Sequence, residues 1–216
     1  MPRFIAVANL KGGTGKSTIA VNVASALASR RSRVALVDAD SQETATFWAG
    51  QGHLPVSLHT LPLETDDGAR QWIGKVLNID AEWVVIDCPP HLRAATSAAI
   101  GLSDLVLVPA TASGADLLAT QRAVELVGDA RKRRDDDGPQ TLLVPSRIDR
   151  RTSTGREFSK ALEQLEPHVS PELRQRAVFV DSFTAGQWVG DYQPNGPAHS
   201  DVNALVRTIK RRLNDK

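Results

Sequence analysis

The stretch NLKGGTGKSTIA, residues 9–20, decides how the rest of the chain is read. It leaves the apolar run FIAVAN (4–9) and opens a longer stretch with helical periodicity, giving strand, glycine-rich turn and helix in succession. That context separates a phosphate-binding loop from a chance cluster of glycines. Gly12, Gly13 and Gly15 let backbone N–H groups turn inward where a side chain would crowd them. The N-terminus of the following helix adds partial positive charge. Lys16 places an ammonium near the β- and γ-phosphates of a nucleotide, Ser17 offers a hydroxyl to Mg²⁺, and Thr18 can reach the α-phosphate. A second lysine, Lys11, stands before the glycines, although one suffices to hold a nucleotide's phosphates.

Working outward, RVALVDAD (33–40), WVVIDCPP (83–90), DLVLVPA (104–110), TLLVPSR (141–147) and AVFVDS (177–182) repeat the character of the first run. They are nearly continuous in apolar residues rather than alternating, which predicts strands of a parallel sheet covered on both faces. Residues 17–30, 43–50, 69–78, 93–101, 114–134, 154–166 and 201–213 read as helices between and after them. This alternation predicts an α/β fold: a doubly wound, mostly parallel sheet with helices on both faces and its ligand at the strands' carboxyl ends. The run RKRRDDDG (131–138) reads as a helix end turning into the next strand. No internal repeat or composition break interrupts the chain, so residues 1–216 are expected to form a single domain.

Two further segments complete a nucleotide site. VVIDCPP carries Asp87 to a strand end, where it can hold Mg²⁺ through water. VALVDADSQ sets Asp38 and Asp40 two residues apart and pointing the same way off another strand end. Carboxylates there can tune the metal's water shell and orient an attacking water.

The bulk numbers bound the function. With 216 residues and a formal net charge of +1, the chain gives no overall electrostatic argument for nucleic acid, so any basic surface is local. The single cysteine, Cys88, excludes internal disulfides, and the five histidines lack metal-ligand spacing. Without a signal peptide or an apolar run near the length of a membrane span, a cytoplasmic location is expected. Trp48, Trp72, Trp83 and Trp188 read as core or groove aromatics.

KGGTGKST, VDADSQ and VVIDCPP, in that order and spacing, resemble the ParA/MinD superfamily with its "deviant" Walker A loop. The length is similar to that of the small ParA subgroup, of which the ParF plasmid-partition protein is one. The resemblance extends through DADSQETATFW, DLVLVPATAS and TLLVPSRIDRRTS, and loosens after about residue 165. It implies a P-loop NTPase of the SIMIBI type and a slow, partner-stimulated ATP hydrolase. Lys11, Gly12, Gly13, Thr14, Gly15, Lys16, Ser17 and Thr18 would bind ATP, with Lys11 crossing a nucleotide-sandwich homodimer to the partner's phosphates. Ser17 would ligate Mg²⁺, Asp38 and Asp87 would act on it through water, and Asp40 would position the attacking water. Arg147 falls where related small proteins contact adenine, and CPPHLRAAT after Asp87 would move with nucleotide state.

Several functions share this scaffold. A partition or positioning ATPase would bind nucleoid DNA nonspecifically and be released by a ParB-like partner. Basic clusters at 131–134, at 147–156 and on the last helix (Arg207, Lys210, Arg211, Arg212) could meet phosphates, the last helix being the preferred DNA surface. VFVDSFTAGQW (178–188) lacks the arginines that related proteins often place there. A MinD-like membrane ATPase would use a terminal amphipathic helix, and Val202, Leu205, Val206, Ile209 and Leu213 do share one face; packing on the sheet gives the same pattern and is the favoured reading, so membrane association is not expected. A metabolic ligase of the same fold is a further alternative. A reductase of the nitrogenase iron-protein kind is excluded, because it needs paired cysteines.

Overall fold

The computed structural model describes residues 2–28, 32–90, 94–136 and 138–214. Its centre is a sheet of β1 (Arg3–Val7), β2 (Val34–Asp38), β3 (Ser57–Thr60), β4 (Trp83–Asp87), β5 (Leu105–Ala110) and β6 (Gln140–Pro145). The spatial order is β3-β2-β4-β1-β5-β6, and every pairing is parallel. Such a sheet needs cover on both faces, and successive residues of β1 supply it in turn. Phe4 and Ala6 join one apolar cluster, while Ile5 and Val7 join the other.

Helices α3 (Ala69–Leu77), α4 (Ala94–Leu102), α5 (Gly114–Arg131) and α6 (Ser153–Glu163) contribute Trp72, Ala95, Val127 and Leu162 to the first cluster. On the second face lie α1 (Lys16–Leu27), α2 (Thr44–Ala49), α7 (Val178–Thr184), α8 (Val189–Tyr192) and α9 (Pro197–Asn214). They supply Ile19, Trp48, Phe183, Val189 and Leu205. The doubly wound, parallel architecture is therefore as the strand–helix alternation predicts, with boundaries shifted by a few residues.

Three elements differ from expectation, one of them the short α8, which lies outside the expected helices. AVFVDS forms no strand: residues 178–184 are helical. Val178, Phe179 and Phe183 face the apolar cluster at helical spacing, whereas Val180 is 67% exposed. What holds the segment is Phe183, which meets the Trp48 ring edge-on at 5.1 Å, and Trp48 Nε1, which donates to Gln187 O at 3.0 Å. A short valine-rich run was thus settled by tertiary contact rather than β propensity. The remaining difference is β3, an edge strand whose sequence SLHT is too short and polar to register as an apolar run.

The amphipathic stripe of α9 is taken up by the core. Val202, Leu205 and Ile209 are completely enclosed, and Val206 and Leu213 nearly so. Arg3, at the start of β1, donates to Asn214 Oδ1 at 2.6 Å, which fixes the end of α9 at the sheet's amino-terminal edge. Among the described residues no helix is long and apolar enough to cross a membrane. Truncating Ile209 to alanine is expected to lower the unfolding free energy by about 2–5 kcal/mol, measured by urea denaturation. A loss under about 0.5 kcal/mol, usual for surface positions, would mean that this face is not core.

Candidate nucleotide site

All groups singled out around the phosphate loop converge at the carboxyl ends of β1, β2, β4, β5 and β6. The loop itself needs left-handed backbone: φ is +76° at Gly13 and +91° at Gly15. A Cβ on Gly15 would also stand 3.0 Å from Ser146 Oγ, a tight contact, but it is the left-handed backbone that demands glycine there. Gly15 caps α1 without any side-chain hydrogen bond, leaving the first amides of that helix directed at the loop. Such a terminus favours an anion. Lys11 O closes the loop from within, accepting from Lys16 Nζ at 2.9 Å and from the buried Thr14 hydroxyl at 3.5 Å. Gly12 stands open, Ser17 and Thr18 are half-buried, and Thr18 O accepts from Asn22 Nδ2 at 2.8 Å.

The acidic side of the site follows from strand register. Asp38 and Asp87 end β2 and β4 and are direct partners across that pair. Asp38 accepts from Asp40 N at 3.1 Å and Thr46 N at 2.7 Å, which ties it to the start of α2. Asp40 in turn accepts from Gln42 N at 3.1 Å. Asp87 is completely enclosed, and neither carboxylate oxygen has a hydrogen-bond partner of standard geometry. Burial pushes its carboxyl up to about 8; Ser17 and Lys16 oppose the rise, while Asp38 and Asp40 add to it. Burial likewise raises Asp38. Lys16 is drawn below its ordinary value by burial, against the pull of Asp87, Cys88 and Asp40. A buried oxygen set with unmet bonding capacity, beside a serine hydroxyl and a phosphate cradle, fits a hard divalent cation such as Mg²⁺.

The two lysines part company. Lys16 is buried in the loop, whereas Lys11 is 42% exposed and its ammonium pairs with Asp116. Asp116, 2% exposed in its side chain, lies in the first turn of α5. Asn9 aims the arrangement: its Oδ1 accepts from Lys11 N at 3.1 Å, and its Nδ2 donates to Pro109 O at 2.5 Å. Sequence reasoning missed Asn9, Asp116 and Ser146. Ser113 and Asp116 do have capping-box spacing, and Asp116 N donates to Ser113 Oγ at 3.2 Å. That spacing marks a helix start but not the carboxylate's partner.

Arg147 reaches the phosphate loop. Held at φ +54°, it donates through Nη1 to Gly13 O at 3.1 Å, so the end of β6 is fastened to the phosphate loop. Residues 91–93 of CPPHLRAAT lie outside the described residues. Arg207, Lys210 and Arg211 are exposed on α9 and Arg212 partly so, but their end of that helix is at the opposite edge of the sheet from the loop.

Residues 5–189 match the model of the CobQ/CobB/MinD/ParA nucleotide binding domain. The chain belongs to that family. Its relatives include the maintenance of carboxysome distribution protein A of Halothiobacillus neapolitanus, 30% identical over 208 residues that make up 95% of each chain. The chromosome partitioning protein ParA of Caulobacter vibrioides is 27% identical over 201 residues, covering 73% of this chain and 74% of that one. Among solved structures, MinD of Pyrococcus horikoshii with Mg-ADP superposes with a TM-score of 0.81 at 16% identity, covering 100% of this chain and 98% of that one. Apo McdA of Cyanothece gives 0.79 at 18%, covering 97% and 100%. The chain is therefore a nucleotide-binding, ParA/MinD-type ATPase in family and in fold.

Asp87 sets a pH dependence for the ligand-free protein. Its folded pKa lies above the unfolded value of 3.8, so the native state holds the extra proton between about pH 4 and 8. Stability should therefore fall as pH rises through that window and level off above it. Asp87→Asn should remove this component; denaturation midpoints across the range, compared with wild type, test it. An unchanged profile in the variant would show that Asp87 is ionised in the native state at neutral pH.

Proposed function

We propose that this chain is a Mg²⁺-dependent ATPase of the ParA type, working as an ATP-sandwich homodimer that binds DNA nonspecifically. Its task is to position a large cargo over the nucleoid, with a ParB-like partner accelerating hydrolysis; the setting is cytoplasmic and nucleoid-associated. The observation that carries this reading is the division of labour between the lysines. Lys16 occupies its own loop, while the half-exposed Lys11 is directed away from it and held at Asp116. Full-length likeness to a carboxysome-distribution protein and likeness to a chromosome-partitioning ParA support a positioning task. The membrane alternative lacks its main support, since the stripe on α9 is buried.

In this mechanism the amides of Gly12–Gly15 and the start of α1 hold the phosphate chain, and Lys16 neutralises it from below. Ser17 would ligate Mg²⁺ directly, with Asp38 and Asp87 holding its water; the ion supplies neutralisation of the phosphate oxygens. Asp40 orients the attacking water. Lys11 leaves Asp116 and crosses to the partner's nucleotide, where one added cation can be worth ~10³ or more in rate. Removing that cation strands a buried carboxylate, so the exchange needs the charge of the partner's ATP to compensate.

Light scattering and nucleotide titration test this directly. Lys11→Ala is expected to bind ATP yet stay monomeric, whereas Lys16→Ala should lose nucleotide binding. A Lys11→Ala variant that dimerises with ATP like wild type would overturn the sandwich. Asp40→Ala should accumulate as an ATP dimer with hydrolysis reduced about 10²-fold or more. Single-turnover measurements showing wild-type hydrolysis would remove Asp40 from the reaction.

A further inference from the structure

Three arginine-rich surfaces compete for a polyanion, and the structure separates them by what each guanidinium already does. Behind α5, Arg131 donates to Pro139 O at 2.9 Å and Arg134 to the carbonyls of Gly101 at 3.0 Å and Ser103 at 2.8 Å. Arg134 is further clamped by Asp136 at 2.6 Å. That cluster ties the end of α5 to neighbouring turns. The α9 cluster is exposed but sits at the amino-terminal edge of the sheet, away from the phosphate loop.

The third surface is a recess of about 480 Å³ at the carboxyl end of β6, lined by Ile148, Arg150, Arg151, Arg174 and Arg176 among others. Here the arginines outnumber their partners. Arg150 Nε and Arg174 Nε donate to the same oxygen, Glu172 Oε1, at 2.6 and 2.8 Å, leaving their Nη atoms outside the pair. Arg151, 90% exposed in its side chain, pairs with Asp149 at 2.7 Å, and Arg176 with Asp201 at 2.9 Å. Arg156 adds a further exposed guanidinium, held by the carbonyls of Arg150 at 3.2 Å and Arg151 at 3.1 Å. Guanidinium forks held by few carboxylates and open to solvent suit phosphodiesters, which each offer two acceptor oxygens.

The recess is built onto the nucleotide site. Ser146 lies against Gly15, and Arg147 bonds to Gly13 O. The next residue, Ile148, is laced to the recess by Ile148 N→Leu173 O at 3.1 Å and Gln175 N→Ile148 O at 3.0 Å. Charge is also polarised across the sheet. Residues 34–69, which include β2 and β3, contain six Asp and Glu and no Lys or Arg. Residues 177–206, which include α7, likewise contain no Lys or Arg. At the β6 edge, four arginines of the recess share three carboxylates, Asp149, Glu172 and Asp201.

We propose that this recess, with Arg150 and Arg174 at its centre, binds the sugar–phosphate backbone of duplex DNA. The proposal rests on the DNA-binding reading given above and replaces the last helix as its surface. Attachment through residues 146–148 puts the contact next to the phosphate loop, so the nucleotide has a short path to it. Glu172 acts as an internal competitor, occupying with one carboxylate the two guanidiniums that a phosphate would take.

Fluorescence anisotropy with a labelled random-sequence duplex, in ATP and Mg²⁺ and over about 50–200 mM salt, tests the surface. Arg150→Gln with Arg174→Gln keeps hydrogen-bond donors for Glu172 and is expected to weaken binding about tenfold or more. The log–log salt slope should fall by about one for each phosphate that the variant no longer neutralises. Glu172→Gln should instead tighten binding and steepen the slope, an outcome that structural damage would not produce. Arg207→Gln with Arg211→Gln should stay within about twofold of wild type; thermal unfolding confirms that each variant is folded.

If wild type binds DNA while the Arg150/Arg174 variant binds equally well, or the α9 variant takes the loss, the recess is the wrong surface and the DNA reading survives. The recess is equally overturned if Glu172→Gln weakens binding. If wild type with ATP binds phosphatidylglycerol vesicles or nothing at all, and not the duplex, the DNA reading itself fails.

Discussion

The structure turns on one tight passage: the chain leaves the central strand β1 and enters α1 through two left-handed glycines, Gly13 and Gly15, the second of them against Ser146. Hydrogen-bond donors at the start of α1 are thereby aimed at a single point above the sheet. Everything else at the carboxyl edge is arranged around that point. The ends of β2 and β4 bring carboxylates, the end of β6 brings Ser146 and Arg147, and β5 leads to Asp116. A parallel sheet achieves this because all its strands finish on the same side.

The resulting site is electrostatically unsettled by itself. Two aspartates lie side by side across a strand pair, both fully enclosed, and a lysine below them is pulled from its ordinary pKa by burial. These groups cost stability in the free chain and become favourable when phosphate and a cation complete the charge pattern. Lys11 and Asp116 form a second, self-contained balance at the rim. The site therefore keeps its two lysines in different electrostatic settings, one inward and one outward.

Much of this was legible in the sequence because local constraints and global fold agree. KGGTGKST requires Gly13 and Gly15 by conformation, and the runs ending in Asp38 and Asp87 are apolar because both sheet faces are covered. What could not be read was settled by distant contacts. AVFVDS looks like a strand until Trp48, from a helix far earlier in the chain, gives Phe183 a place to pack. Asp116 looks like half of a helix cap until the phosphate loop folds Lys11 onto it. The letters alone favoured the last helix among the basic clusters; which arginines act as clamps shows only in their partners.

The polarity of the sheet has a consequence for motion rather than for binding strength. Arginines gather beyond β6, while the opposite edge from β2 to β3 carries carboxylates without a single compensating Lys or Arg in residues 34–69. A nearly neutral molecule with its charges so divided behaves as a dipole in the field of any polyanion. Torque during diffusion turns one edge forward before contact is made. Fewer collisions are then wasted on the wrong face, and encounter is oriented although the net charge of +1 provides almost no attraction at long range.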